Sequence, residues 1–85
     1  MTIALPPEAI LARLQRVFQD VFDDDSLVIR PELTARDIDG WDSLTHITLV
    51  VSAEKEFGVR LNAAEIARLA NVGEMVEAIR KHMGE

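Results

Sequence analysis

Cysteine is absent from the 85-residue sequence, and no apolar run approaches the length of a bilayer-spanning helix. Without cysteine the chain has neither disulfides nor a thiolate metal site, and a reducing cytoplasm is the expected location. The first residues also lack the basic and apolar segments of a signal peptide. The sequence therefore predicts one small cytoplasmic domain over residues 1–85, stabilised by packing and with no membrane partner.

Glycine, histidine and basic residues are also scarce. The four glycines do not cluster as in a phosphate-binding loop, and the two histidines, His46 and His82, lack the spacing of a metal site. Fifteen acidic residues against nine basic ones give a net charge of -6, which argues against nucleic acid as a partner. We therefore expect neither a bound metal nor a nucleic-acid partner.

What the sequence does contain is apolar residues at helical intervals. They predict a first helix between Pro6 and Asp23, a second from Asp42 to Phe57 and a last one from Asn71 to Met83. Asn62 begins a shorter third helix, and Gly58 suits the left-handed residue that ends the second. These patterns predict an all-α four-helix bundle with a short third helix and a long packed loop between helices one and two.

The second predicted helix carries two apolar stripes. The expected core face consists of His46, Leu49, Val50, Ala53 and Phe57. The second stripe consists of Leu44, Ile47 and Val51 and lies beside Glu54. Because this second stripe has no evident use inside the fold, it is a candidate docking surface for a partner. The alternative is a helix that is buried on almost every side.

Ser43 begins the second helix and is the main candidate for chemistry. A nucleophilic role is disfavoured, because no Gly-x-Ser-x-Gly turn surrounds Ser43 and His46 is expected to point inward. A serine in the first helical turn keeps its hydroxyl at the surface, beside the positive end of the helix dipole, which favours a phosphate. Ser43 is therefore an acceptor for a covalent phosphoester, or else it or Asp42 is a simple helix cap.

The segment Gly40-Trp41-Asp42-Ser43-Leu44, followed downstream by Glu54-Lys55-Glu56-Phe57-Gly58, resembles the acyl carrier proteins and the related peptidyl carrier domains. The similarity covers nearly the whole chain and implies a carrier that is not itself an enzyme. It implies that Ser43 is esterified by 4'-phosphopantetheine, donated from coenzyme A by a phosphopantetheinyl transferase. The terminal thiol of that arm would carry an acyl group as a thioester. Asp42, by the same likeness, would help the transferase position the cofactor and its metal.

The resemblance also implies that partner enzymes recognise the second helix. The expected contact residues are Leu44, Ile47, Val51 and Glu54. The expected partners are an acyl ligase, ketosynthase or acyltransferase of fatty acid, polyketide or related specialised biosynthesis, acting on a monomeric carrier.

The residues that follow Ser43 depart from the family pattern at three positions. Carriers of fatty acid synthesis are typically acidic at this point, whereas this chain has Thr45, His46 and Thr48, so docking by charge alone should be weaker. Two alternatives stay open: a peptidyl or aminoacyl carrier loaded by an adenylating enzyme, and an unmodified helical adaptor.

Small side chains suggest a way for an acyl chain to enter the bundle. We expect alanines along the inner faces of the helices to let the bundle open around such a chain. These residues are Ala53, Ala64, Ala67 and Ala78.

Overall fold

The computed structural model describes residues 5–83, which form four α-helices and no strand. The helices are α1 (Pro7–Phe22), α2 (Ser43–Phe57), α3 (Ala63–Arg68) and α4 (Val72–Met83). Helix α1 packs against both α2 and α4, and α2 also contacts α4. The predicted all-α architecture is confirmed, including the short third helix and the long loop between α1 and α2. Over the described range, no helix combines the length and the apolar character needed to cross a bilayer.

The ends of the helices follow from local side-chain chemistry. The Asp42 carboxylate accepts a hydrogen bond from the Thr45 backbone N–H at 2.9 Å and caps α2. Asn62 and Glu65 form a reciprocal capping box at the start of α3. Gly58 ends α2 in the left-handed conformation with φ 66°, as its position in the sequence predicted.

The hydrophobic core lies between α1, α2 and α4. Four of the five residues predicted for the core face of α2 are buried, and the exception, His46, is half-buried. Helix α1 contributes Ile10, Leu14, Val17 and Phe18 to this core. Helix α2 contributes Leu49, Val50, Ala53 and Phe57, and α4 contributes Val72, Met75, Val76 and Ile79.

The loop over residues 23–42 is bonded at its middle to α4. The Pro31 carbonyl accepts the Gly73 N–H at 2.8 Å, and the Leu33 carbonyl accepts the Val72 N–H at 2.9 Å. A Cβ on Gly73 would lie 3.1 Å from the Pro31 carbonyl oxygen, so glycine permits this close approach. The two bonds satisfy first-turn donors of α4 that no helical carbonyl can reach. The loop that leads to Ser43 is thus held by the last helix.

The position of α3 corrects one expectation from the sequence. Ala64 and Ala67 are exposed, so the prediction that they lie on inner faces was wrong. Helix α3 has only six residues and none of them is buried. Its apolar Ile66 is half-buried at the edge of a surface groove beside α2, because a helix this short gains little by inserting into a core that the other three helices already fill.

Candidate functional site

Ser43 is the first residue of α2, and its side chain is exposed. The preceding residue provides the cap, since the Asp42 carboxylate binds the Thr45 N–H and the Asp42 carbonyl accepts the His46 N–H at 2.8 Å. Within the part of the chain that the structure describes, no hydrogen bond engages the Ser43 hydroxyl. Asp42 therefore caps the helix, and the adjacent Ser43 keeps its hydroxyl exposed.

The charge of Asp42 is stabilised by its role as a cap. The Thr45 backbone N–H, followed by the Thr45 hydroxyl, lowers the pKa of Asp42 below its ordinary value of 3.8. An aspartate with a pKa at or below 3.8 is ionised at neutral pH. A fixed negative charge lies next to the exposed hydroxyl of Ser43.

His46 lies at the edge of the core face predicted for it, where its side chain bridges α2 and α3. The Trp41 indole Nε1–H donates to His46 Nδ1 at 3.1 Å, and His46 Nε2 lies 3.2 Å from the Ile66 carbonyl oxygen. An indole nitrogen can only donate, so Nδ1 is the acceptor and Nε2 carries the proton that is donated to the carbonyl. Both ring nitrogens are engaged, which leaves neither to act as a base for Ser43.

A groove runs along the surface between α2 and α3 and adjoins Ser43. Its volume is about 660 Å³, and we call it the α2–α3 groove. Its walls include Trp41, Ser43, His46 and Ile47 on one side and Ile66 and Ala67 on the other. Most of this lining is apolar, so the groove can receive a flexible, largely apolar group attached beside it.

The second stripe of α2 is exposed, as its pattern predicted. The exposed fractions of Leu44, Ile47 and Val51 are 77%, 54% and 43%. No charged residue occurs from Ser43 to Ala53. Glu54 differs from the stripe, because it is half-buried and its carboxylate accepts the Leu61 N–H at 2.8 Å.

The sequence did not reveal the bridge from Trp41 through His46 to Ile66. The acceptor on α3 is a backbone carbonyl, which every residue type carries, so no pattern of side chains marks it. The only available signal was a tryptophan five residues before a histidine at the start of a helix, a spacing with no established structural meaning by itself.

The chain is similar to known proteins over most of its length. Residues 12–79 match the family model described as a phosphopantetheine attachment site. An acyl carrier protein of Acidothermus cellulolyticus is 35% identical over 91% of this chain and 92% of its own length. An acyl carrier protein of Thermotoga maritima is 30% identical over 91% of this chain and 95% of its own length. The solution structure of holo acyl carrier protein from Geobacter metallireducens has a TM-score of 0.83 and 40% identity, covering 88% of this chain and 86% of that one.

Proposed function

The chain belongs to the acyl carrier protein family, and on that premise we propose that Ser43 is the residue esterified by its 4'-phosphopantetheine. The protein is a carrier and not a catalyst. When attached, the arm supplies a terminal thiol that holds an acyl group as a thioester. The chain has no cysteine and cannot supply a thiol of its own.

The exposed hydroxyl of Ser43 is the observation that carries the proposal. Asp42 caps α2, so Ser43 is not needed to satisfy the helix and its oxygen is accessible to a transferase. The remaining surroundings fit the group as well. The phosphate would lie at the positive end of α2, and the apolar α2–α3 groove lies directly beside the attachment point.

Attachment changes one bond on this chain. The Ser43 oxygen forms a phosphoester bond to the phosphorus that bears pantetheine, while the phosphoanhydride bond of coenzyme A breaks and the adenine nucleotide leaves. The Ser43 proton passes to a base of the transferase or to water. We propose that the ionised Asp42 helps the transferase to position coenzyme A and its metal.

We further propose that partner enzymes bind the exposed stripe of Leu44, Ile47 and Val51, with Glu54 at its end. The first partner is the phosphopantetheinyl transferase. The others are enzymes that load or use the acyl group, such as an acyl ligase, ketosynthase or acyltransferase of fatty acid or polyketide synthesis. The support is the exposure of these three apolar side chains along one side of α2, since none of them belongs to the core of the described residues.

Intact mass spectrometry tests the attachment site. Wild-type protein incubated with coenzyme A, Mg²⁺ and a phosphopantetheinyl transferase should gain the mass of one phosphopantetheine, and Ser43→Ala should gain none. Ser52→Ala removes a second serine of α2 and is the matched control, which should gain the mass normally. A mass gain in Ser43→Ala would refute the assignment. No gain in wild type would instead favour the unmodified adaptor.

A further inference from the structure

We propose that this carrier holds its acyl group in the α2–α3 groove and does not bury it between the helices, so that its cargo is a short acyl chain. The proposal rests on attachment at Ser43. The arm that begins at Ser43 can place the acyl chain on its terminal thiol in one of two sites: along the surface groove, or past the groove floor in the core. Three features of the described residues favour the first.

The floor of the groove is closed by a hydrogen-bonded pair of rings. Trp41 donates to His46 at 3.1 Å, and the two rings lie edge to edge at an angle of 20° with their centroids 6.1 Å apart. His46 in turn reaches the Ile66 carbonyl at 3.2 Å and so joins α2 to α3. A chain passing between these helices must separate them. The Trp41 N–H, on a side chain only 8% exposed, would then lose its acceptor in a buried position.

Aromatic packing behind Trp41 leaves little room for a chain to pass. Its ring lies edge-on to Phe18 with a centroid separation of 5.3 Å and also contacts Phe22 at 6.4 Å. Phe18 and the nearby core residue Leu49 are both completely buried. Inserting methylenes into so well packed a core forces side chains away from their preferred conformations.

Helix α3 is attached at two separate points, which keeps the groove in place. His46 bonds the Ile66 carbonyl, and His82 of α4 bonds the carboxylate of Glu65 at 2.8 Å. Exposed Ala67 lines the groove, so the short side chain leaves space for a bound chain outside the core. The arm must share this groove with its acyl group, so the apolar walls that remain free can cover only a short chain, and a longer one would extend into water.

Methyl NMR spectra of loaded protein test the proposal without any mutation. The transferase would load wild-type protein with acetyl, butyryl or decanoyl phosphopantetheine from the coenzyme A thioesters, and intact mass would verify loading. All three chains should shift the methyls of Ile47 and Ile66. The core methyls of Leu49 and Ile79 should shift no more with decanoyl than with acetyl. A larger core shift with decanoyl would overturn the proposal, whereas failure to load would count against Ser43 instead.

A variant of the bridging histidine tests the cause. His46→Ala should allow the decanoyl chain to shift the methyls of Leu49 and Ile79. Thr48→Ala, an exposed change two residues further along α2 on a different side of the helix, should behave as wild type. Unchanged core shifts in a folded His46→Ala would refute the barrier.

Nitrogen-15 spectra of the wild-type histidine supply a further check, since the proton should reside on Nε2 of His46 with both short and long chains. Loss of that signature with decanoyl would show that the bridge opens.

Discussion

Asp42 and Ser43 are adjacent residues with different tasks. The Asp42 side chain satisfies a backbone donor of α2, and the Ser43 side chain is left exposed at the same helix terminus. If serine were the cap, modification would remove the cap from the helix. With aspartate in that place, a group can be added to Ser43 while the first turn of α2 keeps its hydrogen bond.

Replacing Asp42 should separate its capping role from its charge. Asp42→Ala should lower the Tm, because the Thr45 N–H loses its acceptor. Asp42→Asn keeps a side-chain oxygen and should stay close to wild type in a thermal unfolding experiment followed by circular dichroism. If Asp42 also serves the transferase through its charge, Asp42→Asn should be folded but should load more slowly. Equal loading rates would contradict that role.

The difference in Tm between wild type and Asp42→Ala should depend on pH in a defined direction. Hydrogen bonds from Thr45 lower the folded pKa of Asp42 below 3.8. A depressed pKa contributes stability that is fully present above the ordinary carboxyl value and is lost as the pH falls through the lowered one. The Tm difference between the two proteins should therefore be constant near neutral pH and shrink in strong acid. A difference that grows on acidification would contradict this assignment.

At the scale of the helices, one side chain of α1 is bonded to the far end of α2. Arg13 Nη2 donates to the Glu56 carbonyl at 2.8 Å and lies at the same distance from the Glu56 carboxylate. Its guanidinium carbon is also 4.7 Å from the centre of the Phe57 ring. Arg13 thus binds a carbonyl in the last turn of α2, where a cation is favoured by the helix dipole.

Arg13→Ala should reduce the free energy of unfolding by about 1 kcal/mol, most of it from the carbonyl bond and the contact with Phe57. The ion pair adds little because both partners are about two-fifths exposed to solvent. Urea unfolding would measure the change. Arg16→Ala removes an exposed arginine one turn further along α1 and should leave stability unchanged. An equal loss in both variants would contradict a specific role for Arg13.

The elements could be predicted because their signals are local. Asp42, Asn62 and Gly58 mark helix ends through bonds or backbone conformations that span only a few residues. The exposed stripe of α2 was likewise predictable from its spacing, and nearly all of the core face was as well. His46 lies at the edge of that face, and its bonds to Trp41 and Ile66 were not predictable, because an angular projection does not identify the partners of a side chain.

The features that escaped prediction depend on partners distant in the sequence. The carbonyls of Pro31 and Leu33 bond to α4, and the carbonyl of Ile66 bonds to His46, yet backbone acceptors leave no trace in residue type. The alanines of α3 had the size expected of inner residues, but α3 lies at the edge of the bundle. Local pattern thus predicted the helices, while the floor of the groove required tertiary structure.

At the scale of the whole molecule, the exposed stripe lies in a segment that itself carries no charged residue. The chain has a net charge of -6, but none of its charged residues falls between Ser43 and Ala53. Electrostatic attraction between exposed charges is screened over about 10 Å at 0.1 M salt, whereas apolar contacts are not weakened in this way. Partners that bind this stripe should therefore depend mainly on shape and apolar area.

Ile47→Glu should slow loading by the transferase about tenfold or more, because it places a charge in an apolar contact. Glutamate is a good helix former, so α2 should keep its stability. Val28→Glu makes the same change at another exposed apolar position, 67% exposed in the loop, and should load at the wild-type rate. The wild-type rate should change little when salt is raised. Equal rates for both variants would contradict docking on the stripe.

Trp41 is the single tryptophan of the chain, and it lines the groove beside Ser43. Its indole emission therefore reports on this one place in the protein. A group that settles in the groove changes the polarity around the ring, and any weakening of its bond to His46 alters the same signal. Occupancy of the site can thus be followed in real time by fluorescence, with no dye or label added.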